Sequence, residues 1–226
     1  MSVKPSDSLP PPPIRGGDTE EAPLYTQVGR ALSAWEAMED IVARLFSALV
    51  GDRVALMASP ATRAYGTVAT FRGRKEMVSA AAQSYFFEKE HKGRLAEIKS
   101  FLNSCSDWST RRNEIAHGVV RQIILETHPL FQEELTDLTY YLIPANYNSN
   151  KVRLIPRDLS IKQKKGQSER DAIKSYIENF LQNGVGKYKY NSQQVSYYAD
   201  GFAKLAESGE QVLERFLEYD RNTRSS

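Results

Sequence analysis

Apolar residues recur at alternating steps of four and three from the first folded segment onward: Leu24, Val28, Ala31, Trp35, Met38, Val42, Leu45 and Leu49. That spacing keeps one stripe on a 3.6-residue helix and predicts a long amphipathic helix with a bundle-type seam. Gly51 and Asp52 supply its stop, and Ser59, Pro60 and Gly66 read as a connector. A second helix is expected from about Arg74 to Phe87, where Val78, Ala81 and Tyr85 share a face. A third runs from about His91 to His117, with Ile98, Phe101, Cys105, Trp108, Ile115 and Val119 again in three-and-four spacing. Arg112 falls on that same seam, and Gly118 is the expected left-handed terminator. The last helix carries Val195, Tyr198, Phe202, Leu205, Gly209, Val212, Phe216 and Tyr219 on one seam. Asn191 or Ser192 is its expected N-cap, and Gly209 marks a close helix contact.

Between the third helix and the last, the period shortens to that of strands. Residues 119–125, 140–144 and 151–156 are β-branched or aromatic runs, and Asn146, Asn148, Ser149 and Asn150 read as a hairpin loop between the last two. Helix signals resume over residues 168–181 with Ile173, Ile177 and Phe180; Gly184 and Gly186 break them, and residues 188–190 suit an edge strand. The expected fold is therefore mainly α: a helical bundle with a small antiparallel β-hairpin or sheet inserted at about residues 119–167. Residues 1–21, with the proline run Pro10 to Pro13 followed by Gly16 and Gly17, hold too little apolar material to fold. They are expected to form a disordered tail, residues 22–220 a single domain, and residues 221–226 a second short tail.

Composition narrows the function classes. With 226 residues and 41% hydrophobic content, the chain supports one sizeable core. Thirty basic against twenty-eight acidic side chains leave a net charge of +2, so any polyanion must be bound locally rather than by the molecule as a whole. No apolar run approaches the roughly 20 residues that span a bilayer, and a signal-peptide stretch is missing, so no membrane partner and a cytoplasmic location are expected. Cys105 is the single cysteine. With His91, His117 and His128 scattered, it offers no metal-ligand spacing, and Gly184, Gly186 and Lys187 lack the spacing of a phosphate loop. No metal and no cofactor are expected.

The segment that carries chemistry is RNEIAHG at residues 112–118. An arginine on a core seam must meet a carboxylate, lie over Trp108 one turn earlier, or face a groove that binds an anion, because an unpaired buried guanidinium costs several kcal/mol. His117 stands in the last helical turn, where the negative end of the helix dipole favours a cation. Asn113, four residues earlier on the same face, is placed to orient its imidazole. Arg112 and His117 lie about 140° apart around an ideal helix, so they flank one groove. Cys105 and Ser109 sit about 18 Å and about 12 Å from His117 along that helix, which excludes a thiol or serine dyad within one chain.

This segment resembles the motif of HEPN domains, an arginine followed by a polar residue and, further on, a histidine; Arg112, Asn113 and His117 carry the match. The resemblance implies an up-and-down α-helical bundle, commonly a homodimer whose two motifs meet in a cleft. It further implies metal-independent RNA cleavage, with roles in toxin–antitoxin or antiviral defence and an antitoxin or regulatory protein as partner. It makes His117 the general acid or base at the RNA 2′-hydroxyl or leaving oxygen, Arg112 the group that stabilises phosphorane charge, and Asn113 an orienting group. Glu114 is expected to be exposed and to pair with Arg111 rather than to take part. Arg111, Lys151, Arg153, Arg157, Lys162, Lys164 and Lys165 form the basic set that would track an RNA backbone. The alternative reading is a non-catalytic interaction or nucleotide-sensing module. Tyr188, Tyr190, Tyr197 and Tyr198 suit core or edge packing better than base stacking.

Overall fold

The computed structural model describes residues 16–52, 59–87, 91–123, 139–144, 168 and 189–224. Within them the order is α1 (Ala22–Leu49), α2 (Pro60–Thr67), α3 (Phe71–Tyr85), α4 (Lys92–Ala116), β1 (Gly118–Ile123), β2 (Thr139–Pro144) and α5 (Ser192–Arg224). The chain is mainly helical with a small two-stranded antiparallel sheet, as its periodicity predicts.

The first helix follows its seam: Leu24, Ala31, Trp35, Met38, Val42, Leu45 and Leu49 are all buried. It stops at Gly51, whose φ of +80° is accessible to glycine at little cost, and the Asp52 amide reaches back to the Ser47 carbonyl at 3.0 Å. The expected connector at residues 59–66 is instead helix α2. Ser59 and Pro60 are its start signal, the Ser59 hydroxyl accepting from the Thr62 amide at 3.1 Å and Pro60 occupying the first turn, where its missing N–H costs nothing. Helix α3 begins three residues earlier than its apolar spacing suggests, because Thr70 caps it by accepting from the Gly73 amide at 3.2 Å.

Helices α1 and α5 run side by side in the same direction. Arg30 pairs with Asp200 near one end, and Arg44 makes two 3.0 Å bonds to Glu210 further along. Helix α4 runs against both, so that Phe101 meets Gly209 and Trp108 meets Gly201. A Cβ on Gly209 would come within 2.6 Å of the Phe101 ring, which bears out the expected close contact, and one on Gly201 would overlap the Trp108 indole. Trp35, Trp108 and Phe202 form the centre of the core, with edge-to-face ring distances of 5.3 and 5.8 Å about Phe202.

Polar groups also enter this core. Glu39 is buried, accepts from the Trp35 indole at 2.7 Å and pairs with Arg74 of α3. Its partners satisfy a charge that would otherwise cost several kcal/mol to bury.

In the sheet, Gly118 pairs with Pro144 and Ile123 with Thr139. The far side of β2 is met by Asp18 at Tyr140 and by Tyr190 at Leu142. Residues 16–18, expected in the disordered tail, therefore line the sheet, and the Asp18 carboxylate accepts from both the backbone N–H and the hydroxyl of Ser192 at 2.7 and 2.5 Å. Asn191 caps α5 in a reciprocal box with Gln194, at 2.9 and 3.1 Å. The helix then continues to Arg224, through most of the second expected tail. The strand at 151–156, its hairpin loop and, apart from Ser168, the helix over 168–181 lie outside the described residues.

Candidate functional site

The site is built on the last two turns of α4. Trp108 and Ile115, each about 1% exposed, fix that end of the helix in the core. Arg112 follows the same seam, past the point where the core closes over it. Arg112 emerges there half-buried and reaches Glu36 of α1 at 3.3 Å, the carboxylate option among those its position allowed. This is longer than the roughly 2.7–2.9 Å of a tight charge-assisted bond, and Glu36 is 64% exposed. The Arg112 Nε is buried and takes no hydrogen-bond partner among the described residues.

His117 is the C-cap of α4. Its amide donates to the Asn113 carbonyl at 3.1 Å, and its exposed ring has no hydrogen-bond partner among the described residues. Asn113 is exposed too, and its side-chain oxygen accepts from Arg112 at 3.3 Å. Its side chain thus orients the arginine, where the sequence reading had it orienting the imidazole; its link to His117 runs through the backbone.

Gly118 does not act as a left-handed terminator. Positive φ occurs only at Gly16 and Gly51 among the described residues. A Cβ at Gly118 would fall 2.7 Å from Leu142 and 3.0 Å from the Glu114 carbonyl, so close packing of the helix end on β2 requires the glycine. That contact starts β1 directly after His117.

The opposite face of the same turns is closed. Arg111 donates to Glu114 at 2.5 Å, as expected, but Glu114 is only 17% exposed and also accepts from the Tyr190 hydroxyl. Arg111 in turn donates to that hydroxyl at 2.8 Å. Burial, reinforced by the Glu114 carboxylate, holds the Tyr190 phenol well above the ordinary tyrosine range, so it remains a donor. Arg111 is committed to this cluster, which takes it out of the basic set expected to face RNA. The other members, Lys151, Arg153, Arg157, Lys162, Lys164 and Lys165, lie outside the described residues.

Two tyrosines of the expected packing group, Tyr190 and Tyr198, are fully buried with rings 5.5 Å apart, and Tyr197 lies against Trp108. Tyr190 is the site-linked residue that sequence spacing missed; its only signal was the alternation of residues 188–190, which marks a strand but no partner. Burial pushes the Cys105 thiol far up, which keeps it neutral and inert. Among the described residues no group of three or more His, Cys, Asp or Glu side chains is arranged to hold a metal, and no helix is long and apolar enough to cross a membrane. Compared with family models, with curated proteins and with solved structures, the chain has no significant match in any of the three.

Proposed function

We propose that this chain is a metal-independent endoribonuclease of HEPN type. The observation that carries the reading is an exposed His117 ring and, five positions earlier, a half-buried Arg112 whose Nε is buried, both groups without a hydrogen-bond partner among the described residues and both near the end of α4. The His117 ring takes no part in the core and Arg112 makes only a long contact to α1, whereas phosphodiester chemistry uses both groups. In the reaction the 2′-oxygen attacks phosphorus as its proton leaves, and the bond to the 5′-oxygen breaks as that oxygen gains a proton. His117 serves as general acid or base in one of these transfers, and Arg112 stabilises the charge on the phosphorane. An exposed ion pair is worth about 0–1 kcal/mol, so a phosphate displaces Glu36 from Arg112 at little cost. Asn113 holds the guanidinium from the solvent side. A homodimer with the two motifs in one cleft, a cytoplasmic location, an antitoxin or regulatory partner and a role in toxin–antitoxin or antiviral defence complete the reading.

The test is cleavage of a mixed RNA pool in EDTA by wild type and by His117→Ala. Products ending in 2′,3′-cyclic phosphate from wild type alone are expected. Equal cleavage by the variant overturns the mechanism. The Arg112–Glu36 contact favours a second reading, a non-catalytic interaction module in which the arginine secures α4 to α1. In that case neither protein cleaves, and Arg112→Ala lowers the melting temperature.

A further inference from the structure

We infer that Tyr190, 76 residues beyond Glu114, is a positioning residue for the Arg112–His117 turn, acting through Glu114. The inference rests on the nuclease reading for its chemistry but not for its geometry. The last carbonyls of a helix lack intrahelical partners, and a helix end frays unless something outside it holds on. Here Asn113 and His117 are exposed, and beyond α4 Arg112 meets, among the described residues, the long contact to Glu36. Ile115 in the core and strand β1, paired with β2 from Gly118 onward, hold the two ends of the turn, and Glu114 is the side chain within it that reaches beyond α4 on the face turned to the sheet.

The Tyr190 phenol does not depend on α4 for its own position. Its backbone makes two bonds to Leu142, at 2.8 and 2.9 Å, and its ring packs edge-on against Tyr198 of α5. Asn191, the next residue, caps α5. The hydroxyl is therefore a fixed point set by β2 and α5, and Glu114 docks onto it. The hydrogen bonds close without a missing proton: the phenol donates to the carboxylate and accepts from Arg111, which also donates to the carboxylate. An i,i+3 pair between Arg111 and Glu114 alone would constrain only the surface of the helix that bears it. The phenol turns that pair into a brace between the helix end, the sheet and the last helix.

Tyr190→Phe removes the hydroxyl while keeping the ring packing and both backbone bonds. The expected result is about tenfold or faster amide exchange at His117, whose N–H bonds to the Asn113 carbonyl, with Leu102 and Cys105 in the middle of α4 unchanged. Glu114→Gln should give the same acceleration and add little on top of Tyr190→Phe, the non-additivity of one shared contact. Unchanged exchange at His117, or uniform acceleration along all of α4, overturns the proposal. In the cleavage assay the variant should lose about tenfold in kcat with KM preserved, as for a shift of the reacting groups rather than of substrate binding. A wild-type kcat in the variant also overturns it. If wild type does not cleave RNA the nuclease reading fails, and the exchange experiment still decides the role of Tyr190.

Discussion

Arg111 and Arg112 are neighbours on one helical turn, yet they meet opposite fates. Arg111 is drawn into a closed ring of hydrogen bonds with Glu114 and Tyr190, while Arg112 stands at the rim with an exposed carboxylate at arm's length and a buried Nε left over. The difference follows from the 100° step between consecutive helical residues. One guanidinium faces the sheet and α5, the other faces the edge of α1. A closed network contributes to stability and resists rearrangement, whereas an open group retains the capacity to bind something else. The same turn thus holds its support on one face and, in the proposed function, its chemistry on the other.

Exchanging the two fates experimentally gives the largest effects. Arg112→Ala and His117→Ala should each lower RNA cleavage by about 10²-fold or more, with stability in urea changed by less than about 0.5 kcal/mol. The mirror-image variant, Arg111→Ala, should lower unfolding free energy by about 1–3 kcal/mol, because it strips a largely buried carboxylate of its cation. Equal stability losses for Arg111→Ala and Arg112→Ala in urea titrations would erase the distinction between the faces.

Alkaline titration sharpens it further. The Tyr190 and Tyr198 phenols are raised by burial, so the folded chain keeps their protons above pH 10 while the unfolded chain releases them. Their stabilising contribution is complete below pH 10 and is lost as pH rises beyond it, at up to about 1.4 kcal/mol per pH unit for each tyrosine. Tyr190→Phe should flatten that decline by one tyrosine's worth in melting curves between pH 10 and 11. The smallest effect belongs to the α5 cap: Asn191→Ala should cost about 1 kcal/mol and leave cleavage by the rim groups nearly intact.

The helices α1, α4 and α5 were legible in the sequence because each buries one continuous stripe, and a stripe leaves a period. Even Gly209 was legible, since a glycine on an apolar seam has few other uses. Helix α2 was hidden because Ser59 and Pro60 serve equally as breaker and as cap, and an eight-residue helix is too short to show a period. Glu39 lies one residue past Met38 on the seam, and its burial depends on Arg74, a residue no local rule connects to it. The motif itself was visible as spacing along α4. Its support was not, for Tyr190 reaches Glu114 only through the pairing of residues on three separate elements. Gly118 was placed rightly at the helix end but for the wrong reason: the constraint comes from Leu142 across the sheet, not from backbone handedness.

The contact between Asp18 and Ser192 joins positions 174 residues apart. Closing such a loop is slow and waits for both ends to exist, so on the ribosome residues 112–118 leave the exit tunnel long before the segment that braces them. A nascent chain would carry residues 112–118 unbraced and gain the finished geometry only once residues 190–200 had emerged.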